Sequence, residues 1–272
     1  MIREMQIRNY SPRSIKTYVS LLSNLAKFYN LPPHQITVDQ FKDFLQHRIT
    51  HDKVSTSSIN QTIGAFKILH VDVLGHDWEQ IKIKRPRGER KLPVVLSIGE
   101  VASMIAATKN IKHRALLALA YSSGIRREEL RTLKPENIDP ERMRVHVLQG
   151  KGKKARYTLL SQKALELLRI YYRIEKPACF LFETSLKKGR SLAVETINQI
   201  AKNAARKAGI KKKISFHTLR HSFATHLLEK GVNLRVIQQF LGHNSLKTTS
   251  VYLHIANIDL SRIFSPLDDM DI

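Results

Sequence analysis

Six side chains from position 126 onward, Arg126, Lys151, His217, Arg220, His243 and Tyr252, are of the types needed to break and remake a phosphodiester bond. A tyrosine phenol can attack phosphorus and hold the bond energy in a covalent ester, which is nucleophilic catalysis. A neutral phenol, with a pKa of about 10, attacks poorly, and the five-coordinate transition state gathers negative charge on its equatorial oxygens. Fixed cations answer both needs. Arg126 and Arg220 suit the task because a guanidinium is planar, stays charged and gives paired hydrogen bonds to phosphate oxygens. Each preorganised donor of this kind is worth about 10²–10³ in rate. Lys151 is the candidate general acid for the departing oxygen. With a pKa of about 6.5, the imidazoles of His217 and His243 suit proton exchange or hydrogen-bond donation. No Cys/His spacing resembles a zinc site, and no carboxylate cluster suggests another metal.

These side chains need elements to hold them. Met143 to Val147 alternates apolar and polar like a strand, Arg156 to Leu159 can pair with it, and Gly150-Lys151-Gly152-Lys153-Lys154 reads as the turn between. Lys151 then stands at a hairpin tip, with Lys153 and Lys154 as neighbouring phosphate contacts. His217 and Arg220, three apart at the start of an apolar segment of helical spacing, share one helix face. Gly242 closes one short helix and Ser245 can cap the next, which carries Thr248, Thr249, Tyr252 and His254. Glu129 lies three residues beyond Arg126 on an expected common helix and is placed to orient that arginine. Arg127 beside Arg126, and His221 beside Arg220, are second candidates for the cation and the base.

The ordered contexts Gly124-Ile125-Arg126, Gly150-Lys151-Gly152, His217-Thr218-Leu219-Arg220, Leu241-Gly242-His243 and then Tyr252 resemble the tyrosine recombinase (phage integrase) family, at its Xer-like or integron-like end. The motifs span roughly residues 93 to 255. The resemblance implies a mainly α fold, with a small helical, SAM-like, DNA-binding domain followed by a mostly helical catalytic domain with a small antiparallel β-sheet. It implies a site-specific recombinase in which Tyr252 forms a 3′-phosphotyrosine and strands exchange through a Holliday junction, without metal, ATP or other cofactor. In that reading Arg126 is chosen over Arg127, Lys151 is the acid, His217 relays the tyrosine proton and His243 donates to the phosphate. The implied partners are double-stranded DNA with an inverted-repeat core site, further copies of the chain forming a tetramer on DNA, and a second recombinase or accessory protein. The nearest alternatives are a type IB topoisomerase-like relaxing enzyme and an inactive DNA-binding protein.

Composition agrees with a nucleic-acid partner. Among 272 residues, 46 Lys and Arg face 23 Asp and Glu, a formal net charge of +23. Spread through a chain that is 42% hydrophobic, this charge belongs to a folded protein with an anionic polymer as partner. The single Cys179 allows no intramolecular disulfide. With no signal-like N-terminus and no apolar run of about 18 residues, the expected location is cytoplasmic, with no membrane partner.

The expected organisation is a helical domain over 1–82, a basic linker over 83–92, a catalytic domain over 93–257 and a tail over 258–272. In the first, Ser11-Pro12 and the capping box Thr37 to Gln40 start helices, and a third helix runs from about Ser57 to His70. At the linker, Lys82, Lys84, Arg85, Arg87, Arg90 and Lys91 are candidate DNA-backbone contacts. Beyond it a capping box at Ser97 to Glu100 opens a helix. Further helices are expected near 111–122, 162–173, 193–208, 217–230, 234–241 and 246–255, with strands near 143–148 and 155–160. In the tail, Leu260, Ile263, Phe264 and Leu267 recur at helical spacing, a stripe able to pack on its own domain or on a neighbouring protomer.

Overall fold

A computed structural model describes residues 1–78, 83–86, 92–148, 155–186 and 188–257. The chain divides into two compact units, Met1–Lys91 and Leu92–Ile272.

The first unit is helical among its described residues: α1 (Ile2–Ile7), α2 (Pro12–Tyr29), α3 (Val38–Thr50) and α4 (Thr56–Lys67). Local chemistry sets the starts. Ser11 accepts from the Ser14 amide ahead of Pro12, and Thr37 and Gln40 satisfy each other's backbone N–H groups. The core gathers Leu22, Leu25, Ile63 and the stacked rings of Phe41 and Phe66. The expected third helix ends early as an α-helix and continues as a π-helical turn, Ile68–Val73. α1 was not expected, since it buries only Met5 and has no apolar stripe to read.

The second unit begins with α5 (Ile98–Ala106), whose capping box at Ser97 and Glu100 is formed as expected. α6 (Ile111–Ser123) follows and is buried on nearly every side through Ala115 to Ala120. It packs against α8 (Gln162–Glu175) and α10 (Phe216–Glu229). Between α6 and α8 come the short α7 (Arg127–Thr132) and a three-stranded antiparallel sheet, β1 (Ile138–Asp139), β2 (Arg144–Val147) and β3 (Arg156–Leu159), in the order β1-β2-β3. Val145 pairs with Thr158 and Val147 with Arg156, so these four residues lie on the face turned to the core. α9 (Val194–Lys207), α11 (Leu234–Leu241), α12 (Leu246–Thr249) and a 3₁₀ turn, Ser250–His254, complete the unit. The last expected helix is thus α for one turn and 3₁₀ where Tyr252 sits. β1 was not expected, and the helix expected to carry both Arg126 and Glu129 is the short α7, which begins one residue after Arg126.

Candidate active site

α6 ends at Gly124, which adopts φ +58° and donates to the Ala120 carbonyl. A Cβ there would collide with the Phe223 ring, so both conformation and space call for glycine. The turn brings Ile125 into the core and sets Arg126 immediately before α7 as its N-cap. Arg126 is therefore not on a helix with Glu129, as expected, but caps the helix that Glu129 helps to start. The Glu129 carboxylate accepts from the Arg126 amide at 2.8 Å and from its Nη1 at 2.8 Å.

Glu129 is buried, with its side chain only 3% exposed, and it also receives both prongs of Arg156, Nη1 and Nη2, at 2.8 and 2.7 Å. Burial pushes its pKa up, but the hydrogen bonds and charge of Arg156 and the bonds from Arg126 outweigh that and hold it at about 2. The carboxylate is ionised throughout the neutral range.

The C-terminal end of α11 gathers the cations. Its last carbonyls have no helical partner and carry the negative end of the macrodipole, and three arginines from three elements meet them. Arg156 Nε donates to the Phe240 carbonyl at 2.8 Å, Arg220 Nη2 to Leu241 at 2.6 Å and Arg126 Nη2 to Gly242 at 2.7 Å. Arg220 Nη1 closes the circuit on the Gly124 carbonyl at 2.6 Å. Gly242 takes φ +60°, and a Cβ on it would lie 2.8 Å from Arg156 Cδ. Burial and then the neighbouring Arg126 lower the Arg220 pKa to about 9, which leaves it charged at neutral pH.

His243 follows directly, its Nδ1 2.9 Å from Thr249 Oγ1. Burial first, then Arg220, Arg126 and Arg156, hold its pKa near 3. Tyr252 is 2% exposed and packs with Phe223, Ala224, Leu228, Ile237 and Leu241. Its Oη lies 3.1 Å from His221 Nδ1. Burial raises the phenol's pKa, against the opposing pull of Arg220 and Arg126. His221, lowered to about 4 by burial, His217 and Arg220, is neutral at neutral pH and so can take the phenolic hydrogen bond. His217 is exposed on the same helix, its pKa lowered by surrounding protein and by Arg220, Arg127 and Arg126.

Five of the six candidate residues are thus in one region, around the end of α11. Lys151, Lys153 and Lys154 lie outside the described residues, as do Lys82, Arg87, Arg90, Lys91 and the tail stripe. Lys84 and Arg85 are described and exposed. Of the two candidate bases, His217 and His221, it is His221 whose Nδ1 lies 3.1 Å from the Tyr252 Oη. Arg156 was not singled out at all. A signal was available: it shares a strand face with Thr158, which is 1% exposed, and an arginine on a buried strand face needs a partner.

Among the described residues no group of three or more His, Cys, Asp or Glu is placed to hold a metal ion, and no helix is long and apolar enough to cross a membrane. An apolar groove of about 550 Å³, lined by residues including Pro135, Leu165, Leu168 and Tyr172, shares none of the site residues.

The profile of the phage integrase family matches residues 95–257, and that of the phage integrase N-terminal SAM-like domain matches residues 1–80. A putative integrase/recombinase of Sinorhizobium fredii, y4qK, is 35% identical over 269 residues, 98% of this chain and 87% of that protein. The tyrosine recombinase XerA of Pyrococcus horikoshii is 32% identical over 254 residues, 92% of this chain and 86% of that one. A crystal structure of XerH site-specific recombinase bound to a palindromic difH substrate, in a post-cleavage complex, aligns with a TM-score of 0.71 at 24% identity, over 92% of this chain and 78% of that chain.

Proposed function

Because this chain belongs to the phage integrase family, as an Xer-like tyrosine recombinase, we propose that Tyr252 is the nucleophile with which it cuts DNA and that Arg126, Arg220 and His243 hold the scissile phosphate. The protein is an enzyme that cleaves and rejoins DNA as a site-specific recombinase; a relaxing topoisomerase or an inactive binder is not favoured.

The observation that carries the residue roles is the convergence of Arg126 and Arg220 on the consecutive carbonyls of Leu241 and Gly242, beside His243 and within electrostatic reach of Tyr252. Each guanidinium has five N–H donors, and the bonds described use two of them, so each keeps donors for a phosphate. The carbonyls fix the two cations before substrate arrives, which is the preorganisation that lowers a transition state's energy. Tyr252 attacks phosphorus, a 3′-phosphotyrosine forms, and the 5′-oxygen leaves with a proton from Lys151. His243 donates to a non-bridging oxygen.

The phenol's proton has two candidate acceptors. His217 fits the family order, whereas the 3.1 Å contact favours His221. The buried Tyr252 and Arg220 are closed to a phosphate in this state, so the Ser250–His254 turn moves before cleavage. Exchange then proceeds through a Holliday junction within a tetramer on an inverted-repeat site, with Lys82, Lys84, Arg85, Arg87, Arg90, Lys91, Lys153 and Lys154 on DNA backbone and a second recombinase or accessory protein admitted. No cofactor is required. The DNA substrate puts its work in the cytoplasm.

The test mixes the protein with fragmented source-genome DNA in EDTA, stops the reaction with SDS and sequences the ends that remain covalently attached. Recurrent ends with wild type and none with Tyr252→Phe are expected. Adducts that persist in Tyr252→Phe refute the nucleophile, and scattered ends refute site specificity.

A further inference from the structure

We propose that Arg156 is a positioning residue for DNA cleavage, which neutralises Glu129 and so keeps the Arg126 guanidinium available to the scissile phosphate. The inference rests on the phosphate-binding role given above to Arg126.

Glu129 is a buried carboxylate beside a site that must receive an anion. Alone it would do two unwanted things: draw Arg126 into a private ion pair and repel the phosphate. Arg156 answers both. Its two prongs cover both carboxylate oxygens at 2.8 and 2.7 Å, while Arg126 takes only one side-chain bond, from Nη1 to Oε1. The trio of two arginines and one glutamate therefore carries one net positive charge. That charge falls to Arg126, whose side chain is 20% exposed, because Arg156 is only 9% exposed and is spent on Glu129.

The position of Arg156 is itself fixed from three sides. Its backbone pairs with Val147 across the sheet, its Nε holds the Phe240 carbonyl, and its stem lies where a Cβ on residue 242 would be. Arg156 thereby also braces the end of α11 that presents His243. At 9% exposure it has little surface to offer DNA, so its effect on the reaction passes through Glu129, Arg126 and the α11 carbonyls. A bidentate contact of this kind is open to arginine and closed to lysine.

The experiment uses the full-length protein and a nicked duplex carrying the sequence of the recurrent covalent ends, with either an ordinary phosphodiester or a neutral methylphosphonate at the scissile position. Arg156→Ala is expected to bind the duplex as wild type does and to cleave the phosphodiester about 10²-fold more slowly, the scale of one lost preorganised donor. On the methylphosphonate, which has no charge for Glu129 to repel, the deficit should shrink to under about tenfold on the same scale. Adding Glu129→Gln to Arg156→Ala should recover part of the rate, because it removes the stranded charge. Arg156→Lys, which keeps the charge and loses the fork, should fall between wild type and Arg156→Ala. Equal deficits on the two substrates, or a double variant slower than Arg156→Ala, would overturn the proposal. Arg126→Ala run alongside separates the two readings: if it cleaves the phosphodiester at the wild-type rate, the role given to Arg126 fails.

A second measurement needs no DNA and also detects misfolding. In side-chain NMR the Arg126 Nη protons should be individually resolved in wild type and move to a new set of shifts in Arg156→Ala, as the guanidinium is drawn onto Glu129, with the backbone amide spectrum otherwise preserved. Unchanged Arg126 signals would refute the positioning.

Discussion

Replacing Glu129 with glutamine should cost the second unit roughly 3 kcal/mol at pH 7. The carboxylate's pKa falls from 4.5 to about 2 in the folded protein, and each tenfold gain in acidity corresponds to about 1.4 kcal/mol. The group is buried, so solvent screening does not reduce that figure much. Glutamine keeps the shape but sets an NH₂ against an arginine N–H and leaves the guanidinium groups of Arg156 and of the part-exposed Arg126 with half their acceptor. Breaking a buried pair in this way costs about 3–5 kcal/mol. The melting temperature should therefore drop by roughly 6–12 °C for a unit of this size. Trp78, the only tryptophan, packs on the first unit's core, so its fluorescence watches the other unit and far-UV circular dichroism is the better probe. The sign with pH follows from linkage: a depressed carboxylate pKa stabilises fully above the unfolded value and loses that contribution as pH falls toward the folded value. The gap between wild type and Glu129→Gln should be constant from pH 8 to 6 and narrower by about 1 kcal/mol at pH 4. A gap below about 1 kcal/mol at pH 7, the range of a surface pair, or one that does not narrow in acid, would refute the account of Glu129 as a buried carboxylate shared by two arginines.

Gly124→Ala should destabilise by about 2 kcal/mol or more through left-handed strain and overpacking against Phe223, and urea titration by circular dichroism checks it. His221 and His243, at about 4 and 3, stay neutral in the folded state while an unfolded imidazole protonates near 6.5. Stability should then be complete above pH 6.5 and fall in acid, and His243→Asn should flatten the slope by up to about 1 kcal/mol per pH unit, read from melts between pH 6.5 and 4.5. Without DNA, tetranitromethane should nitrate the exposed Tyr157 and Tyr172 well before the buried Tyr252, as read by peptide mass spectrometry; early nitration of Tyr252 would contradict the closed state.

The residues of the site were legible in the sequence where a local backbone signal stands beside them. Gly124 and Gly242 end helices in the left-handed conformation just before Arg126 and His243, and Ser245 caps α12 ahead of Tyr252, so chemistry and punctuation could be read together. The start of α7 was misplaced, because the helix is six residues long, too short for periodicity to set its bounds, and its cap is an arginine where Ser, Thr, Asp or Asn is usual. α6 was expected near 111–122 and spans Ile111–Ser123, although it is buried on nearly every side and so has no polar stripe to set against an apolar one.

Which partner each group takes was not legible, because that depends on packing across long stretches of chain. His217 and His221 are four apart on one helix and present the same face, so helical period alone gives no reason to prefer either. The contact goes to His221 only when the Ser250–His254 turn packs against α10 and brings Tyr252 to 3.1 Å. Arg156 reaches Glu129 across 27 residues and Phe240 across 84, and Arg126 reaches Gly242 across 116. No local pattern encodes such pairs. What the sequence does carry is a constraint: an arginine on a buried strand face, and a glutamate buried after a cationic cap, each have to find opposite charge in the interior. Their mutual satisfaction places the cations before any substrate arrives.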